Sequence, residues 1–206
     1  MSIFAKLQPK AASEIPEAPI ARFFFADTRM AWLWLIVRLY VGYQWLGAGF
    51  AKLTGAALPL ESPEKSWIFT SNVGASIKGF AQGAIAKANG PFPSVQGWYA
   101  SFLKDFVVPY AGLWAYLITF GELLVGLGLI FGVLTGIASF FGLMMNFNYV
   151  LAGAVSTNPV LGFLALFLLL AWRTAGYWGG DRYLLPLLGV PWTGSLAKKE
   201  EHAKAA

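Results

Sequence analysis

The chain has 206 residues, of which 57% are hydrophobic, 17% aromatic and only 12% charged, with a formal net charge of +5. An ordinary soluble domain has about 25% charged residues, so this composition predicts an integral membrane protein with the lipid bilayer as its surroundings. Cysteine is absent and the one histidine, His202, lies in a polar tail, so we expect no disulfide, haem, iron–sulfur cluster or metal site. The cations are spread out or collected in the tails, which does not indicate nucleic-acid binding.

Residues 1–29 carry charges and prolines where a secretory signal needs an apolar core, and we interpret them as a cytoplasmic tail. Residues 30–190 contain four windows of about 20 mostly apolar residues, the length that crosses a bilayer. The windows are Ala31 to Leu53, Pro109 to Phe131, Leu134 to Ala154 and Pro159 to Tyr177. The prediction is an all-α fold, an integral membrane four-helix bundle, followed by a polar tail over residues 191–206. The short GVLTG link predicts that the second and third helices form a hairpin.

A long connection, about residues 54–108, separates the first two predicted spans. It is too polar to cross a membrane but rich in aromatic residues, and we expect it to hold one or two short helices on the outer membrane face. The SPEKSW segment looks like a helix start, and NGPFP at residues 89–93 predicts a break.

The flanking cations predict the orientation. Four spans place both termini on one side, where Lys and Arg of the two tails favour the cytoplasm. We therefore predict a multi-pass protein of the inner (plasma) membrane with both termini cytoplasmic.

The first predicted span contains one polar and glycine-rich stripe. At 3.6 residues per turn, the stripe comprises Arg38, Gly42, Trp45, Gly49 and Lys52. Two cations and an indole are costly against lipid, so the stripe should face the bundle interior, where glycines permit close approach of another helix or of a flat ligand.

Glu122 lies near the middle of the second predicted span. With the centres of the two antiparallel helices aligned, Arg38 comes within reach of it, and we predict a buried Arg38–Glu122 pair. The pair has two interpretations: it fixes the helix register, or it forms a polar site for a carbonyl- or anion-bearing ligand. Lys52 could instead extend to the membrane interface.

Further polar and small residues follow in the third predicted span. Asn146 and Asn148 lie on opposite flanks of that helix, one suited to the polar core and the other to a bond with a neighbouring element. Gly128, Gly132 and Gly136 form a ladder of small residues typical of close packing.

Three motifs of the chain resemble those of the DoxX/DoxD-like integral membrane family. They are Arg38-x3-Gly42 with Gly49-x2-Lys52, the GELLVGLGLIFG segment beginning at Gly121, and the Gly-Gly-Asp-Arg-Tyr-Leu closure. The long first loop and the chain length resemble the large-subunit branch of thiosulfate:quinone oxidoreductase. The resemblance implies a four-helix bundle and electron transfer from thiosulfate or a related sulfur compound to quinone, a diffusible cofactor.

The resemblance also suggests roles for the candidate residues. Without cysteine, a covalent sulfur intermediate cannot form on this chain, so the candidate residues must act by holding the quinone and the anion in position. Arg38 would meet the quinone carbonyls, Trp45 would stack on the ring, and Lys52 or loop cations would hold an anion. Glu122 would donate protons, so Glu122 and Arg38 are the catalytic candidates, and Asn146 completes the cofactor-binding set.

Two other functions remain open. The chain could be a non-catalytic subunit that anchors or stabilises a larger respiratory or photosynthetic complex, with a second small subunit or that complex as its partner. A small transporter is the third alternative, although four spans show no inverted repeat.

Overall fold

The computed structural model describes residues 17–60 and 62–190, and every regular element in these ranges is helical. The all-α class is therefore confirmed, while the predicted tail segments 1–16 and 191–206 lie outside the described residues. The α-helices are α1 Pro19–Ala26, α2 Ala31–Thr54, α3 Ala75–Ala86, α4 Gly97–Phe102, α5 Ala111–Phe131, α6 Thr135–Leu151, α7 Asn158–Leu170, α8 Trp172–Ala175 and α9 Asp181–Leu187.

The four longest apolar helices, α2, α5, α6 and α7, pack side by side. The most extensive contacts join α2 to α5 and α6 to α7, and α5 also contacts α6 along the predicted hairpin. The turn between α5 and α6 needs two left-handed residues, Gly132 at φ 64° and Leu134 at φ 51°. Gly132 adopts this conformation at little cost, which allows the tight reversal.

The membrane assignment is strongest for α5. Within the described ranges, α5 alone is both long and apolar enough to cross a membrane, and α7 is a shorter apolar helix. A row of large apolar side chains on α5 is exposed, at Leu113, Leu117, Phe120, Leu124 and Phe131. Soluble proteins rarely expose so long an apolar face. The four-span bundle remains a prediction.

Glycines set the register between α2 and α5. A Cβ on Gly126 would stand 2.5 Å from the backbone nitrogen of Leu46, and a Cβ on Gly49 would stand 2.7 Å from that of Leu123. Gly42 likewise faces Leu129. The glycines of the α2 stripe therefore serve close helix packing, which was one of the two predicted uses. These contacts place α5 about ten residues, or ~15 Å, further along the axis of α2 than it would lie if the centres of the two helices were aligned.

The long connection holds two short helices, α3 and α4, as predicted, and the chain is irregular between them at residues 89–93. The predicted helix start at SPEKSW is wrong. The backbone N–H of Trp67 donates to the carbonyl of Lys52 at 2.7 Å, and the Ser66 hydroxyl donates to that of Leu53 at 2.7 Å. This segment therefore satisfies the carbonyls at the end of α2, which holds it in a non-helical path.

The Gly-Gly-Asp segment closes onto the turn between α5 and α6. The backbone N–H groups of Gly180 and Asp181 donate to the carbonyls of Phe131 and Gly132. The Asp181 carboxylate accepts from the N–H of Leu134 at 2.6 Å and from that of Thr135 at 2.9 Å. Asp181 therefore caps the start of α6, because its carboxylate binds free N–H groups at a helix N-terminus.

Candidate functional site

The side chains of Lys52 and Tyr149, from two different helices, meet the side chain of Glu122 on a third. Lys52 Nζ lies 2.9 Å from Glu122 Oε2, and the Tyr149 hydroxyl donates to Glu122 Oε1 at 2.7 Å. Glu122 is 1% exposed and Lys52 is 7% exposed. A buried carboxylate is stable only when its charge and lone pairs are matched, and here one cation and one hydroxyl match them. We call these residues the Lys52–Glu122–Tyr149 cluster.

Local structure explains the position of each member. Lys52 belongs to the last turn of α2, where a cation is favoured by the partial negative charge of the helix end. Glu122 lies on the α5 face that meets Gly49, where the absent side chain brings the two helices together. Tyr149 lies near the end of α6.

The connection between α2 and α5 covers this cluster. Lys52 Nζ lies 5.0 Å from the ring centroid of Trp67, a cation–π distance. The ring of Phe80 on α3 meets the ring of Tyr149 edge to face, with centroids 5.9 Å apart. Two aromatic rings of the connection therefore shield a polar cluster inside the bundle from water.

The predicted Arg38–Glu122 pair is wrong. Glu122 pairs with Lys52, whereas Arg38 Nη2 donates to the carbonyl of Trp178 at 3.1 Å. A Cβ on Gly132 would collide with Arg38 Nη1, and a Cβ on Gly179 would stand 2.8 Å from it. The glycine-determined register places Glu122 opposite the end of α2 instead of its first half, which is the physical reason for the difference.

The interior face of α6 repeats the spacing of the α2 stripe. Its members are Thr135, Ser139, Gly142, Asn146 and Tyr149, at i, i+4, i+7, i+11 and i+14. Trp45 Nε1 lies 3.1 Å from the position of a Cβ on Gly142. The two stripes thus face each other in register, with Thr135 near the level of Arg38 and Tyr149 at the level of Lys52.

We call the facing stripes, together with Glu122, the polar column. Thr135 and Ser139 are each 0% exposed, and Asn146 is 1% exposed. Several of its atoms make no hydrogen bond within residues 17–60 and 62–190, namely Nε and Nη1 of Arg38, Nε1 of Trp45, Oγ1 of Thr135, Oγ of Ser139, and both amide atoms of Asn146. An unsatisfied buried polar group costs about 1–3 kcal/mol, so a hydrogen-bonding molecule bound at these atoms would be stabilised.

Other polar predictions have a clear structural counterpart. Asn148 accepts a hydrogen bond from the Tyr99 hydroxyl at 3.1 Å, which confirms that one asparagine joins α6 to a neighbouring element. Gly136 packs on Trp172 and Gly128 on Ala138, which confirms the packing role of that ladder.

The sequence interpretation missed two residues of this region. Tyr149 lies three residues after Asn146 on the same helix face, so the helical period could have indicated it. Asp181 was identified only as part of the Gly-Gly-Asp-Arg-Tyr-Leu closure motif. Its cap on α6 depends on a contact across 46 residues, which no local pattern encodes.

The chemistry available at the cluster is hydrogen bonding and proton exchange. The carboxyl of Glu122 and the hydroxyl of Tyr149 can both bind and release protons, and the ammonium of Lys52 balances one negative charge. Among the residues that the structure describes, no three His, Asp or Glu side chains are grouped to hold a metal ion.

A helical bundle with an apolar outer face and a buried polar column defines a helical membrane protein with an internal polar site. The model of the DoxX family matches residues 33–157, which covers α2 from its third residue, the connection, α5 and α6. The chain therefore belongs to the DoxX family. No curated protein and no solved structure matches the chain.

Proposed function

We propose that this DoxX-family protein is a quinone-linked subunit of a membrane oxidoreductase. In this proposal, the Lys52–Glu122–Tyr149 cluster exchanges protons with a quinone head group. The supporting observation is that each oxygen of the buried Glu122 carboxylate contacts a group that carries a proton, Lys52 at one oxygen and Tyr149 at the other. Ionisable groups inside a membrane bundle are costly, and they typically serve ligand or proton transfer.

The residues at the cluster fit a quinone. Its two carbonyl oxygens need hydrogen-bond donors, which the Lys52 ammonium and the Asn146 amide can provide, because each has N–H groups beyond those used at Glu122. Asn146 lies one helical turn from Tyr149, and its amide makes no other bond within the described ranges. The rings of Trp67 and Phe80 provide apolar walls. The quinone, when bound, supplies the two-electron redox chemistry.

The protein's own groups would manage protons and solvent. Tyr149 donates to Glu122, so a proton can move between this hydroxyl and the carboxyl without a large rearrangement. Lys52 keeps the negative charge of Glu122 compensated, and the aromatic cover excludes bulk water from the cluster.

For the electron donor, we propose thiosulfate or a related sulfur compound. The ammonium of Lys52 is matched to Glu122, so cations of the connection, such as Lys65 and Lys78, are better placed to attract an anion. Arg38 and Trp45 lie further along the polar column, and their roles toward a ligand stay predictions.

Purification in mild detergent, followed by extraction and mass spectrometry, would identify any bound quinone. We expect bound quinone and thiosulfate-dependent reduction of decylubiquinone. Tyr149→Phe should lower the rate about tenfold or more, because it removes a proton donor. Tyr110→Phe, at an exposed tyrosine, is the matched control. A preparation without quinone and without turnover would contradict the proposal.

The exposed aromatic residues of the connection favour a second candidate, a non-catalytic subunit of a larger complex. Phe69, Phe92 and Trp98 are 74%, 94% and 64% exposed, which suits a surface that docks on a partner. Native purification separates the two functions. A stable large complex that loses assembly with Phe92→Ser, combined with absence of quinone, would support the second candidate.

A further inference from the structure

The unpartnered groups of the polar column form a regular series. On α6, Ser139 follows Thr135 by four residues and Asn146 follows Ser139 by seven, and Trp45 Nε1 of α2 lies opposite Gly142 between the last two, so successive polar groups are about 4.5–6 Å apart along the axis. Two hydrogen bonds through one water molecule span a similar distance, about 5.6 Å. From Thr135 to Tyr149 the series extends over roughly 21 Å, most of the thickness of a hydrocarbon core.

The side chains along this series are suited to water. Ser139, Thr135 and Asn146 each donate and accept hydrogen bonds, while the indole of Trp45 donates. Buried hydroxyls in helices often bond to a carbonyl of the preceding turn instead. Thr174 does this, donating to the carbonyl of Ala171, whereas the hydroxyls of Thr135 and Ser139 make no such bond.

We infer that the polar column binds a file of internal water molecules that carries protons between Glu122 and the end of the bundle at Arg38. Each step breaks one O–H bond and forms another, with no change of oxidation state. The negative charge of Asp181 lies near enough to Arg38 to offset part of its positive charge at that end. The path deepens the proposed function, because it supplies the protons used at Glu122, but it does not depend on which ligand binds there.

Radiolytic hydroxyl-radical footprinting tests for the water. Bound water near a side chain is converted to radicals in place, so a buried residue beside internal water is labelled quickly. Trp45 and Trp34 are 3% and 5% exposed and make a matched pair in one chain. Trp34 donates to the carbonyl of Phe24 and stacks between phenylalanines. We expect Trp45 to be labelled about tenfold faster than Trp34.

Proton flux into liposomes tests for conduction. The purified chain is reconstituted with an internal pH dye, and a potassium diffusion potential drives proton entry. We expect a flux above that of empty liposomes, which falls about tenfold in Asn146→Leu and in Ser139→Ala, because each removes a hydrogen-bonding step. Asn148→Leu, at the exposed asparagine of the same helix, should leave the flux unchanged.

The two measurements separate the outcomes. Equal labelling of Trp45 and Trp34 shows a dry column and overturns the inference. Fast labelling of Trp45 with no protein-dependent flux, or with flux unchanged in both variants, shows water without conduction and also overturns it. Ser139→Ala removes a single oxygen, so it provides the test if Asn146→Leu fails to fold. Neither measurement uses quinone, so a failed proposed function is recognised separately.

Discussion

Lys52 and Glu122 form an ion pair inside the bundle, with 2.9 Å between Nζ and Oε2. The pair joins the last turn of α2 to the middle of α5 and agrees with the register that Gly49 and Gly126 impose. The ion pair and the close packing at the glycines therefore select the same position of α5 along the axis of α2. The polar column follows from that register, because it places Lys52, Glu122 and Tyr149 at one level.

Removal of one partner of this pair should be strongly destabilising. Glu122→Gln leaves the buried Lys52 ammonium without a counter-charge, and Lys52→Met does the reverse. Each should lower the free energy of unfolding by about 3–5 kcal/mol. The double variant should lose less than the sum of the two, and thermal unfolding in detergent measures this. Additive losses would show that the two charges do not interact.

The contact at Gly126 should tolerate no side chain. Gly126→Ala places a Cβ against the backbone of Leu46, which cannot move as a flexible side chain would. We expect a loss of about 1–3 kcal/mol in stability. Gly79→Ala on α3 is the control, since a Cβ there meets no atom within 4 Å. It should stabilise its helix by about 0.5–1 kcal/mol, and equal effects at both sites would contradict the register.

Asp181→Ala should destabilise the start of α6. The substitution removes the acceptor for the N–H groups of Leu134 and Thr135 and should cost about 1–2 kcal/mol. Hydrogen exchange at these two amides should accelerate more than exchange in α7. Asp105→Ala, at an exposed aspartate, should leave both unchanged. Asp181→Asn retains one acceptor oxygen and should retain part of the stability.

Alkaline stability should depend on Tyr99. Burial raises the pKa of Tyr99 from 10.0 to about 12, so between these values the unfolded chain releases a proton that the folded chain retains. Stability from this group is present below pH 10 and is lost as the pH rises toward about 12. Tyr99→Phe should flatten this part of the stability profile, measured by thermal unfolding against pH. Tyr110→Phe, at an exposed site, should leave the slope unchanged.

The sequence predicts well which residues share the interior face of a helix. It does not predict how far one helix is shifted along the axis of its neighbour. Spacing alone identified the stripe from Arg38 to Lys52, because residues on one helix face recur every 3.6 positions. Alignment of the helix centres then gave Glu122 the wrong partner. The actual offset results from backbone contacts at Gly49 and Gly126, and these depend on both helices together.

The connection shows a second limit of local patterns. SPEKSW has the residue types of a helix start, yet its backbone and Ser66 hydroxyl bind the carbonyls at the end of α2. A tertiary interaction therefore overrides the local preference. The helical period of α6 was sufficient to predict that Tyr149 shares a face with Asn146, whereas the cap by Asp181 could be predicted only from the fold.

The cap on α6 has a consequence for synthesis of the chain. Asp181 follows Thr135 by 46 residues, so the ribosome has to produce all of α7 before the start of α6 obtains its carboxylate. A chain terminated just before Asp181 would therefore contain every long helix of the bundle without this closing contact.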